Sequence, residues 1–220
     1  MQQQRKLRIG LCLASLALVV AVGMLASSAR SADDQKKEPA AGGAGASGGM
    51  PQMSAEDMKK MMEMSKPGPE HQKLKDMAGT WDADGKMFMP PGGTTKGTMT
   101  MKMVLGDRYL QMKFEGTSDM GMGAQPFHGQ GLQGYDRVKK KYVGTWADDM
   151  STGIMMSEGT CDGSTMTMEG SFMDPMTGQD CKTKEVTTIK DKDHMTYEMN
   201  ASQGGSPMVK VFEINYTRKS

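Results

Sequence analysis

Histidine, cysteine and aromatic residues are all scarce in this 220-residue chain, which has three His, three Cys, two Trp, five Tyr and five Phe. Few histidines leave few groups that change charge near neutral pH. His71, His128 and His194 sit in no elbow-serine or metal-protease spacing. Asp148 and Asp149 would be an acid–base pair, but neighbours on a strand point to opposite faces. The expected protein is not an enzyme. Excess charge is also missing. The formal net charge is +1, so nothing draws the chain toward nucleic acid or anionic lipid.

Long apolar runs are absent except at the start. Arg5, Lys6 and Arg8 precede an uncharged, mostly apolar run from Ile9 to Leu25, and small residues come next at Ser27-Ser28-Ala29. That order is the pattern of a secretory signal peptide over residues 1–29. It predicts an exported protein, periplasmic or secreted, with no stable membrane span after cleavage. Cys161 and Cys181 would then meet an oxidising compartment, where pairing is common. The strand reading places them at opposite ends of a sheet, roughly 25 Å apart at about 3.3 Å per residue. A disulfide needs Cα atoms within about 7 Å.

Residues 30–68 read as a linker. Pro39 to Gly49 is almost entirely Ala, Gly and Ser, too poor in apolar surface to fold. Later in the linker, Ser54 and Asp57 resemble a capping box that opens a methionine-rich helix over 54–64. Lys66-Pro67-Gly68-Pro69 stops that helix. A second short helix is expected over Glu70–Met77.

Beyond Met77 the chain alternates as strands do. Met99, Met101 and Met103 alternate with polar partners, as do Leu110, Met112 and Phe114. The same holds for Met166 and Met168, for Met195, Tyr197 and Met199, and for Phe212, Ile214 and Tyr216. Period-two patterning with one polar face marks half-buried antiparallel strands. Ten strands are expected, near 80–89, 97–105, 108–115, 127–135, 141–147, 153–161, 165–172, 181–190, 193–200 and 208–217. Even spacing and tight turns argue for an all-β, up-and-down antiparallel barrel over residues 69–220, with one or two short N-terminal helices. Gly79-Thr80-Trp81 stands at the mouth of the first strand, where a Trp needs something to cover it. Closure would set Trp81 beside Arg218, whose guanidinium can stack on the indole.

Several segments together resemble a bacterial family known as domain of unknown function 1579. They are Gly68-Pro69-Glu70-His71, Gly79-Thr80-Trp81, Leu105-Gly106 with Arg108, Gly134-Tyr135-Asp136, Trp146, Asp174-Pro175-Met176-Thr177-Gly178 and Tyr216-Thr217-Arg218. The resemblance spans residues 68–218. It implies a lipocalin-like, calycin-type barrel and no particular activity.

Methionine is unusually frequent, at 27. Two functional readings use it. In the first, Met99, Met101, Met103, Leu110, Met112, Phe114, Met166, Met168, Met195, Tyr197 and Met199 line a barrel that binds a small apolar ligand. Thioethers adapt to varied apolar shapes. In the second, Met58, Met61, Met62 and Met64, with Met120 and Met122 on a loop, hold Cu(I) or another soft metal. The sequence names no cofactor and no protein partner.

Overall fold

The computed structural model describes residues 53–174 and 177–220. The expected signal peptide and the Ala/Gly/Ser segment lie outside the described residues.

Among the described residues, two helices precede ten strands. Helix α1 (Ala55–Met64) opens as expected, with the Ser54 side chain accepting from the Asp57 backbone N–H. None of its residues is buried. Its C-terminal end is held through carbonyls instead. Arg108 donates to Ser65 O at 2.9 Å and Arg137 to Glu63 O at 2.6 Å. Cations at a helix C-terminus satisfy orphan carbonyls and complement the dipole. Helix α2 (His71–Met77) buries His71, Leu74 and Met77, a spacing of three that lines one helical face.

The strands are β1 (Gly79–Met87), β2 (Gly93–Val104), β3 (Tyr109–Asp119), β4 (Gln125–Asp136), β5 (Lys141–Asp148), β6 (Met155–Asp162), β7 (Thr165–Met173), β8 (Asp180–Ile189), β9 (His194–Gln203) and β10 (Val209–Arg218). Each pairs antiparallel with its sequence neighbours, and β1 pairs with β10 to close the barrel. The ten-stranded up-and-down barrel expected from the alternation is the fold observed. Tight turns supply the reversals. Leu105, Gly106 and Asp107 all take positive φ between β2 and β3. Strands β2 and β3 run several residues beyond the expected ends, to Gly93 and Asp119. Their register carries Gly97 opposite Gly116. A Cβ on Gly97 would stand 2.7 Å from the Gly116 Cα. Only glycine lets the two backbones bend together there, a device barrels use to curve their walls.

The register places Cys161 opposite Met166 and Cys181 opposite Phe172, at the two ends of β7. That separation is the one expected from a simple meander.

Candidate functional site

One end of the barrel is sealed. Leu74 and Met77 of α2 join a buried cluster with Trp81, Met101, Leu110, Tyr142, Met166, Met195 and Tyr216. The Gly68 N–H donates to His71 Nδ1, so that nitrogen is an acceptor and the ring is held neutral. Burial lowers the His71 pKa. The Tyr135 ring meets His71 edge-on at 6.1 Å and Tyr142 edge-on at 5.0 Å. The Tyr142 hydroxyl donates to Glu70 O at 2.9 Å, and burial pushes its pKa up to about 12. These groups hold α2 in the barrel end.

The seal is finished by Trp81 and Arg218. They are direct partners across the closing β1–β10 pair, with the guanidinium carbon 4.0 Å from the ring centroid. Trp81 is 1% exposed, and its indole N–H donates to Met77 O. Arg218 does more than stack. It donates to Ala78 O, Asp76 O and Lys192 O at 2.7, 3.1 and 2.7 Å. One side chain thus ties the end of α2, the β8–β9 turn and the first strand together. Gly79 makes room for it. Its φ is +143° and a Cβ there would fall on the Arg218 guanidinium.

The residues expected to line the lumen all share the inward parity of their strands. Met99, Met101, Leu110, Phe114, Met166, Met168 and Met195 are buried. Met103, Met112 and Tyr197 are partly buried and pack against that core, and Met199 is partly exposed on the same face of β9. Farther from α2 the inward side chains of β4 to β7, namely Phe127, Trp146, Met155 and Phe172, also stay partly exposed. The wall is tightly packed under α2, and on β4 to β7 several inward side chains are partly accessible toward the opposite mouth.

Polar groups also face inward, and their positions are not apparent from the sequence pattern. Asp148 lies at the open mouth, accepting from Trp146 Nε1 and the Met150 N–H, both at 3.1 Å. Burial raises its pKa. Asp149 points outward and pairs with His128 Nδ1 at 2.7 Å, so the two carboxylates do not act as a pair. Deeper in the lumen stands Glu185, opposite Met168 on β7 and Met199 on β9. Its Oε2 accepts from the Tyr197 hydroxyl at 3.3 Å, while Oε1 is buried with no hydrogen-bond partner. Burial raises the Glu185 pKa, opposed by the Ser157 and Tyr197 hydroxyls. A carboxyl raised in the fold favours the folded state below its ordinary value and disfavours it above. Stability therefore falls as pH climbs from 4.5 to the raised value, then levels. Glu185→Gln removes this loss. Urea titrations should show Gln close to wild type at about pH 4 and the more stable of the two at about pH 7. A wild-type advantage that grows with pH would contradict the burial assignment.

The soft-metal candidates lie elsewhere. Met58, Met61 and Met62 are exposed on α1, Met64 is partly exposed, and Met120 and Met122 lie on the β3–β4 connection with Met122 exposed. The structure brings the first three onto one surface of α1 but not to the loop pair. Among the described residues no group of three His, Cys, Asp or Glu could hold a metal ion.

A closed, ten-stranded, meandering barrel with a helical plug and a Trp–Arg seal defines a lipocalin-like protein. The chain belongs to the family described as "protein of unknown function (DUF1579)", whose model matches residues 66–218. No curated protein matches the sequence. Among solved structures, the chain is similar to Rv2717c from M. tuberculosis, with TM-score 0.49, 15% identity, and 70% of this chain and 100% of that one covered. It is also similar to the S-type phycobiliprotein lyase CPES from Guillardia theta, with TM-score 0.47, 11% identity, and 73% and 97% covered. A third similarity is to EF1p2_mFAP2b bound to DFHBI, with TM-score 0.39, 11% identity, and 68% and 98% covered.

Proposed function

We propose that this protein is an exported, non-catalytic carrier of a small apolar ligand held in the barrel lumen. The observation that supports it is that apolar side chains facing the lumen are not all packed away. The cluster under α2 is buried, whereas Met112, Tyr197, Met199, Trp146 and Phe172 point inward and remain partly accessible. A ten-stranded barrel encloses more space than its own side chains need fill. Methionine at several of these positions suits a lumen that takes varied apolar shapes, because its thioether chain repacks at little cost. Export rests on the basic, apolar and small-residue order of residues 1–29.

The second reading, Cu(I) binding, rests on the exposed thioethers of Met58, Met61 and Met62. One experiment separates the two. The full chain is expressed with export, purified, and assayed by mass spectrometry for a co-purifying organic molecule and by elemental analysis for copper. The expected result is an apolar organic ligand at near-stoichiometric amount and no copper. Stoichiometric copper that is lost when Met58, Met61 and Met62 become Leu would replace the carrier reading.

A further inference from the structure

Two buried polar atoms in the lumen, Thr183 Oγ1 and Glu185 Oε1, have no hydrogen-bond partner. Thr183 is only 2% exposed, and its hydroxyl makes no hydrogen bond. Glu185 Oε1, two residues along the same strand, makes none either. Residues two apart on a strand share a face and stand roughly 6.6 Å apart. Both side chains take the inward parity of β8, since Lys182 and Lys184 between and beside them are exposed. An orphaned hydroxyl and an orphaned carboxyl oxygen each cost stability unless something satisfies them.

We propose that Thr183 and Glu185 form a polar subsite inside the lumen that takes the protonated nitrogen of an apolar amine. This rests on the carrier reading and adds the chemistry of the ligand's head.

Charge selects the cation. The groups around Glu185 are Ser157, Met168, Tyr197 and Met199, none of them positive. The lysines of the neighbouring strands, Lys141, Lys182, Lys184 and Lys210, point outward and pair with Glu158, Asp180, Glu198 or Glu213, or lie exposed. Asp148 and the buried Asp174 each already have two donors. Glu185 is thus the inward carboxyl with a free oxygen and no compensating charge. An ammonium supplies the missing charge and several N–H donors at once, enough for Glu185 Oε1 and Thr183 Oγ1 together. An alcohol offers one donor and no charge. A carboxylate would add a second negative charge to a low-dielectric site.

On the Ser157 side the wall leaves some space, because Gly144 stands opposite Ser157. A Cβ on Gly144 would meet nothing closer than 3.5 Å. Met168 and Met199 flank the carboxyl and offer an adaptable apolar bed for the ligand's chain.

The test uses the full chain and three probes of equal chain length: dodecylamine, dodecanol and dodecanoate. Each competes at neutral pH and fixed ionic strength against an uncharged fluorescent naphthyl probe. Uptake of the naphthyl probe reports the carrier reading by itself. Dodecylamine is expected to bind about tenfold or more tightly than dodecanol, the scale of one charge-assisted hydrogen bond, and dodecanoate most weakly. Glu185→Gln should remove the amine preference while the naphthyl probe still binds, and Thr183→Val should narrow it. Equal binding of amine and alcohol by wild type, or tightest binding of dodecanoate, overturns the subsite and leaves the carrier intact. A folded barrel that takes up neither the naphthyl probe nor dodecylamine overturns both. The wild-type series decides the matter even if a variant fails to fold.

Discussion

Arg218→Ala is expected to cost about 3 kcal/mol or more, a large share of the roughly 5–15 kcal/mol that holds a domain together. Three carbonyls lose a charged donor: Ala78 O, Asp76 O and Lys192 O. Hydrogen bonds to charged groups contribute about 1.5–3 kcal/mol each, and cation–π stacking on Trp81 adds roughly 0.5–2 kcal/mol. The buried indole face would be uncovered where β1 and β10 close the barrel. Arg218→Lys should recover less than half of the loss, because an ammonium cannot stack flat and reach three directions at once. Guanidinium unfolding of both variants measures this. A loss for Arg218→Ala of less than about 0.5 kcal/mol would mean that α2 and the closing strands hold without the clamp.

Met101→Asp is expected to cost on the order of 3–5 kcal/mol, and Met101→Leu less than about 1.5 kcal/mol. Met101 sits between Gly79 on β1 and Met112 on β3, in the buried cluster under α2. No cation in that cluster would pair with a new carboxylate. The same change at Met112, its partner on β3, should cost less, because Met112 is only partly buried and a carboxylate there keeps some water. Thermal or denaturant unfolding of the three variants tests the difference in burial between these paired positions. Equal losses for Asp at 101 and 112 would mean that the lumen is uniformly filled, against the carrier reading.

Much of this fold was legible in the sequence because the alternation is clean. In β2 and β3, Met99, Met101, Leu110 and Phe114 are flanked by Thr100, Lys102, Gln111 and Lys113, which leaves one choice of inward face. A one-residue slip would turn every such side chain outward. The Trp81–Arg218 contact was legible for a topological reason: closing a meander sets the start of the first strand beside the end of the last. What Arg218 also does to Ala78, Asp76 and Lys192 was not, because those carbonyls come from a helix end and a turn whose positions depend on packing alone.

Strand β8 shows where reading by pattern fails. Thr183 and Glu185 alternate with Lys182 and Lys184, so both faces look polar there, and the two apolar residues farther on, Val186 and Ile189, fall on opposite parities. Counting parity from buried Cys181 would have found them, but nothing in the sequence says that Cys181 is buried. His71 is a similar case. It is one of three histidines in the sequence, and only its contact with Gly68, Tyr135 and the barrel end shows that it anchors the plug.

The sequence by itself determined the number of strands, their order and the apolar face of most of them. Those features depend on local periodicity and turn chemistry, which are written residue by residue. Only the tertiary structure decided which end is sealed, how far the wall stays accessible, and that an unpaired carboxyl oxygen and hydroxyl face the lumen. These depend on barrel curvature and on which strands meet across the interior, and a single strand's pattern carries no record of what stands opposite it.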